Sequence, residues 1–414
     1  MAADGNRVLD ESRIAEGMVL DIHRIWEFFR AKLGQRYVAW FRPALIAADE
    51  FAWACYQPAR NAASPEHAPA DRVKEPPLVF FNGGWSPFTM SRGAPYEPEP
   101  VGDNGIRTEE FRVVLQDLPI PVIGIPWYQV QHLPGAVVLG HEVGHNVEDD
   151  FSVTGTLEAL LGAALAKKQV PIERRNAWYA WAGEVFGDVY GVLGCGPAFV
   201  GAFMDFAARS PVVLMIEEQV APDWELHPPD GLRALINLAT LEHCGFSDEA
   251  AELRSRWTAR FPRHAMGAFE HETEEVVSAF LEGPYPELGG KALTEVLSFS
   301  RADQNAAVET AERILQGREP LRGAIRPLLA GAYLAFARNP KLYEDKQAQS
   351  LVLDKIEQTQ TRFVRGGSNA PALDARDRAD GHELFERMLL LRSRPADEDS
   401  HQAATEADRE GDDG

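Results

Sequence analysis

The chain is short of cysteine, short of basic residues and without a long apolar segment, and each shortage removes a class of protein. Its 414 residues include three cysteines, Cys55, Cys195 and Cys244, far apart and odd in number. None forms a CxxC pair, so neither a disulfide framework nor a cysteine-based zinc site is expected, and a reduced cytoplasm fits. Lys and Arg number 41 against 63 Asp and Glu, for a net charge of −22. Broad phosphate-backbone binding needs clustered bases, so neither nucleic acid nor an anionic membrane surface is expected as a partner. The first residues, Met1 to Arg7, lack the apolar core of a signal peptide. The longest uncharged apolar run, Val189 to Met204, contains four glycines and a proline. It falls short of the ~20 residues of a membrane helix, reads as a buried turn between two helices, and leaves no stable membrane span to expect. There is no P-loop, no dinucleotide fingerprint following a strand and no GxSxG elbow.

What remains is an acidic chain, 45% hydrophobic and 25% charged, long enough for two or three domains with real cores. The acid is unevenly spread. Residues 395–414 hold eight acids and one base, hence −7, with almost no apolar side chains, and read as a disordered tail. Residues 10–60 have a helical pattern, with Ile22, Ile25, Phe28, Phe29 and Leu33 on one face. The Pro/Ala-rich stretch 60–77 reads as a loop, 78–81 as a short buried strand, and Asn82-Gly83-Gly84 as a turn. Residues 111–115 and 120–130 are β-rich, and the prolines at 119, 121 and 126 suit an edge or irregular strand. From Pro134 onward nearly everything reads as helix, over 154–168, 174–208, 229–243, 247–260, 266–282, 302–316, 319–337 and 342–363. The expected fold class is mainly α (α+β), with a small early β element and a C-terminal helical lobe. The expected division is 1–240, then a helical domain over 241–394, then the acidic tail.

The run Gly135-Ala-Val-Val-Leu-Gly-His141-Glu142-Val-Gly-His145-Asn-Val-Glu148 contains HExxH. Pro134 suits the first turn of a helix, and the apolar lead-in suits a buried one. Two histidines four apart project from one helical face, so both imidazoles can bind a single Zn²⁺. Glu142 is then set to take a proton from a water whose pKa the metal has lowered towards 7.

An open zinc site needs a third protein ligand. The extension HExxHxxGxxH is absent, since Glu148 stands where its glycine would be. Glu184 lies 39 residues after His145, in a helical stretch that continues to Asp188 one turn on. HExxH followed by ExxxD resembles the gluzincin metallopeptidases, the thermolysin-like clan. The resemblance covers residues 134–233 and implies a zincin-like catalytic core, with Glu184 as third ligand and Asp188 orienting a ligand histidine. Glu148, one turn beyond His145, is the rival third ligand or an orienting acid. Backbone chemistry points the same way independently. Ala136, Gly140 and Gly144 recur every four residues, as do Gly183, Gly187 and Gly191, and small stripes let two helices pack backbone-close.

Downstream, Glu225-Leu-His227-Pro228-Pro229-Asp-Gly-Leu-Arg233 resembles the His-Pro…Arg stretch of the CAAX-prenyl-protease-like peptidases. That resemblance implies that His227 and Arg233 lie near the site, stabilising a tetrahedral oxyanion or locking the Asp/Glu network. Tyr179 and Tyr190 are further candidate oxyanion donors. An edge strand near Trp127 and Tyr128, or at 80–85, could hold an extended peptide through main-chain hydrogen bonds. The remaining histidines are scattered, and Cys195 sits in an apolar run as inert core.

The expectation is therefore a cytoplasmic zinc metallopeptidase, an endopeptidase acting on protein or peptide substrates, with Glu142 as general base. The C-terminal helical domain leaves room for a regulatory partner. The alternatives are a helical interaction protein with a structural zinc site and a zinc amidohydrolase acting on a non-peptide amide.

Overall fold

Two short apolar segments rich in aromatic and β-branched side chains, Leu78–Asn82 (β1) and Val122–Pro126 (β3), pair in parallel. Phe88–Met90 (β2) adds antiparallel to β3, giving the order β1-β3-β2. The sheet belongs to a computed structural model describing residues 26–64, 75–84, 86–92, 120–208, 227–261, 267–321 and 323–359, with Glu16, Val19 and His23. The β-rich stretch 111–115, the helical pattern beyond 359 and the acidic tail at 395–414 lie outside the described residues.

The prolines around β3 suit an edge or irregular strand, yet β3 is the central one of the three described strands. The reason is placement. Pro121 precedes the strand and Pro126 is its last residue, opposite Asn82, so no ladder position between them loses its N–H.

The rest is helical, and the fold is mainly α with a small β element. The main helices are Arg42–Ala62 (α1), Leu139–Phe151 (α2), Thr154–Lys167 (α3), Ile172–Ala180 (α4), Ala182–Cys195 (α5), Pro197–Ala207 (α6) and Asp230–His243 (α7). They continue with Ser247–Arg260 (α8), Gly267–Glu282 (α9), Arg301–Leu315 (α10), Ile325–Arg338 (α11) and Ala348–Thr359 (α12). Pro134 falls at the start of a 3₁₀ turn, Leu133–Val138, that runs straight into α2. At the other end Ser152 adopts a left-handed backbone, and its N–H reaches the carbonyls of Glu148 and Asp149, which stops the helix.

The stretch 174–208 is not one helix but parts of three. It breaks at Trp181 and again at Gly196, whose positive φ only glycine adopts cheaply, and Pro197 then starts α6. The apolar run from Val189 thus folds back on itself inside the protein. No helix among the described residues is long and apolar enough to cross a membrane.

One compact unit comprises Lys32–Arg92 and Pro119–Gln360 and carries all the labelled elements. Its buried apolar side chains, from Leu45 on α1 to Ile356 on α12, form one cluster. The second unit, Met1–Ala31, Gly93–Leu118 and Thr361–Gly414, lies almost wholly outside the described residues. Within the first unit α2 and α5 cross where their glycines meet. A Cβ added at Gly140 would lie 3.1 Å from Gly191 Cα, and one at Gly144 2.9 Å from Gly187 Cα. No side chain separates the two backbones, which brings short side chains on both helices within reach of a common point.

Candidate metal centre

That common point is occupied by the sequence motifs. His141 Nε2 and His145 Nε2 stand 3.0 Å apart. Glu184 Oε2 is 3.3 Å from the first and Oε1 is 3.4 Å from the second. Ligand-capable atoms of these three residues all lie within 4.8 Å of one another. Tetrahedral ligands bonded at ~2.1 Å to a metal stand ~3.4 Å apart, so the spacing suits a small divalent cation. Both Glu142 and Glu184 sit in the first turns of their helices, where the helix dipole favours negative charge.

Each histidine has a carboxylate behind it. His141 Nδ1 is 3.0 Å from Asp188 Oδ1, and Asp188 is fully buried. A proton on Nδ1 donated to Asp188 leaves the Nε2 lone pair facing the cluster. Glu148 plays the corresponding part at longer range, with Oε2 3.9 Å from His145 Nδ1. Thr154 donates to Glu148 Oε1 at 3.2 Å, and a Cβ at Gly183 would come within 3.0 Å of Oε2, so the missing side chain makes room for the acid. Gly187 does the same for His141, since a Cβ there would lie 2.7 Å from Nδ1.

Arg233, from α7, closes the back of the site. Its Nε and Nη2 donate to the two oxygens of Asp188 at 2.8 and 2.7 Å. Nη2 also stands 3.4 Å from Glu184 Oε2, and the guanidinium lies over the Phe203 ring at 4.9 Å. His227 is at the rim, its side chain 61% exposed and its Nε2 3.2 Å from Glu184 Oε1.

The charges shift as this arrangement demands. Burial opposes a charge on His141, but Asp188 and Glu184 outweigh it and raise its pKa. Burial is likewise overridden at His145, where Glu148 and Glu184 push the pKa up to about 10. Burial works against ionising Glu184, yet the two histidines and Arg233 hold its carboxyl well below the usual range. Asp188 is lowered against burial by Arg233 and His141.

The donor set fits a metal. Glu184 Oε2 is buried and accepts no well-formed hydrogen bond; His141 Nε2 at 3.3 Å and Arg233 Nη2 at 3.4 Å stand near it, and its lone pairs remain free for a metal. Two imidazoles and one carboxylate suit zinc or a similar first-row ion, and three protein ligands leave a position open for chemistry. Proton and metal then compete for the same nitrogens. In the metal-free protein His145 keeps its proton up to about pH 10, so uptake of zinc at neutral pH displaces it. Calorimetry at pH 7.5 in buffers of different ionisation enthalpy is expected to show release of about one proton or more per zinc. Affinity should rise with pH until the histidines are neutral. Buffer-independent heats would contradict this.

The structure brings together His141, His145, Glu184, Asp188, Glu148, His227 and Arg233. Glu142, buried at 8% exposure, lies on the next stripe of α2. It does not bring in Tyr190, whose buried hydroxyl donates to the Cys55 carbonyl at 2.8 Å. Cys195 is buried, and burial raises its thiol pKa well above normal, as inert core requires. Unforeseen in the sequence were the contacts on the other side of α2, where Asn146 donates to Thr89 Oγ1 at 2.6 Å and Arg92 pairs with Asp150. The one available sign was that Glu142, Asn146 and Asp150 recur every four residues, a polar stripe on a buried helix.

Comparison with protein-family models, with curated proteins and with solved structures finds no match to this chain.

Proposed function

We propose that the chain is a zinc-dependent metallopeptidase. The observation that carries this reading is the convergence of His141 and His145, from the helix that also bears Glu142, with Glu184 of α5 at metal-ligand spacing. A bound zinc ion would supply a Lewis acid and a water acidic enough to lose a proton near neutral pH. Glu142 would be the carboxylate that takes a proton and returns it to the leaving amine. A purely structural site has no use for a base beside the metal and is usually closed by four protein ligands.

The remaining residues serve that chemistry. Asp188 holds the His141 proton on Nδ1 and so turns Nε2 towards the cation, and Glu148 supports His145. Arg233 commits its Nε and Nη2 to Asp188, so it locks the carboxylates rather than contacting substrate. His227, exposed at the rim with Nε2 3.2 Å from Glu184 Oε1, is a candidate donor to a developing oxyanion among the described residues. An extended peptide would add to the sheet at β2, whose outer edge has no ladder partner among the described residues.

The test is direct. Zinc-loaded protein incubated with a proteome-derived peptide library should generate new termini, detected by mass spectrometry. Chelation should stop the cutting and stoichiometric zinc restore it. An intact library after incubation with fully loaded protein would refute the reading.

A further inference from the structure

Strand β2 is only three residues long and has β3 as its one ladder neighbour among the described residues. Such a strand is weakly held by its ladder alone. Side chains hold it instead, and they do so along one stripe of α2. Asn146 Nδ2 donates to Thr89 Oγ1 at 2.6 Å and to the Glu142 carbonyl at 2.9 Å. Ser91 Oγ donates to Asp149. Arg92 then grips Asp150 with two hydrogen bonds, Nε to Oδ1 at 2.8 Å and Nη2 to Oδ2 at 3.0 Å. Tyr56 of α1 donates to the same Oδ2 at 2.5 Å, and Arg92 Nη2 also reaches the Glu75 carbonyl at 2.8 Å, just ahead of β1.

Asp150 is almost wholly buried and Arg92 mostly so, with side-chain exposures of 2% and 17%. A buried bidentate pair with a third donor fixes geometry far more tightly than a surface ion pair. Helical periodicity puts Asn146 one turn and Asp150 two turns past Glu142, so β2 lies against the stripe that carries Glu142. The opposite set, His141, His145 and Glu148, meets α5. The pair therefore lies off the face that carries the metal ligands and yet governs where the outer edge of β2 lies relative to the base.

We propose that Arg92 and Asp150 form a latch that holds β2 against α2, so that its outer edge, without a ladder partner among the described residues, presents a fixed rail to an extended peptide beside Glu142. They are positioning residues. The proposal rests on the peptidase reading for the rail's use, whereas the latch can be tested without it.

The test compares full-length, zinc-loaded wild type with Arg92→Met, Arg92→Lys and Asp150→Asn. On a fluorogenic peptide taken from a site that wild type cuts, Arg92→Met should raise KM by about tenfold or more, with kcat within about twofold and zinc content unchanged. Arg92→Lys, which keeps a charge but not the fork, should recover part of the loss. Amide exchange at 88–90 should quicken by about tenfold or more in Arg92→Met and Asp150→Asn, while β1 keeps its protection. An unchanged KM, a fall in kcat alone, loss of zinc, or unchanged exchange at 88–90 would each overturn the latch. If wild type cuts nothing, the peptidase reading falls and the exchange comparison alone decides the latch.

Discussion

Glu142→Gln should keep stoichiometric zinc and lose peptide cleavage by a factor of about 10²–10⁴, the usual worth of a positioned general base. The amide is isosteric with the carboxylate but cannot take a proton. Zinc should stay because Glu142 is not among the three residues whose ligand atoms cluster. It lies at 8% exposure, so the substitution also removes a nearly buried charge and need not cost stability. The effect should fall on kcat, because the proton transfer belongs to the transition state. Zinc content and steady-state kinetics on one cleaved peptide check both halves. Equal turnover by wild type and variant would remove Glu142 from the mechanism, and loss of zinc would make it part of the metal site instead.

Arg233→Met should be the most damaging single change to the fold of the site. The guanidinium is the buried counter-charge to Asp188, at 2.7 and 2.8 Å, and it also stands against Glu184. Asp188 is fully buried, so removing Arg233 leaves an interior carboxylate with only the His141 ring nitrogen as an ionic partner. Breaking one side of a buried pair costs about 3–5 kcal/mol, which for a protein of this size lowers Tm by roughly 3–6 °C. Removing both charges avoids most of that penalty, so Arg233→Met with Asp188→Leu should melt well above Arg233→Met alone. The double variant should still bind zinc more weakly than wild type, since His141 loses the acceptor that sets its tautomer. Calorimetric melting of the four proteins measures the coupling. Additive losses would show that the pair does not act as a unit.

Much of the site was legible because its information is local. HExxH places two imidazoles on one face of a helix, and ExxxD does the same for two carboxylates. The glycine stripes on both segments foretold the contacts between Gly140 and Gly191 and between Gly144 and Gly187. The strand at 78–82 and most of the helices were equally readable from apolar periodicity. Long-range geometry was not. Strand order is set by what packs on the sheet, so the prolines flanking β3 suggested an edge although the strand is central. Trp181 carries no breaker chemistry, and the end of α4 there was invisible, whereas Gly196-Pro197 announced the next break. His227 and Arg233 were tied to the site only by resemblance to a family pattern, and both lie against Glu184. Arg92 and Asp150 are 58 residues apart, and nothing in either neighbourhood names the other.

In the proposed function His141, His145 and Glu184 together hold one catalytic cation. Anomalous diffraction at the zinc edge from crystals of the zinc-loaded protein tests it most directly. A single strong peak is expected at ~2.0–2.2 Å from both histidine Nε2 atoms and from a Glu184 oxygen, with no fourth protein ligand. In Glu184→Gln crystals the same peak should be weak or gone. A peak centred on Glu148 in place of Glu184, a fourth protein ligand closing the site, or no zinc between the two histidines would contradict it.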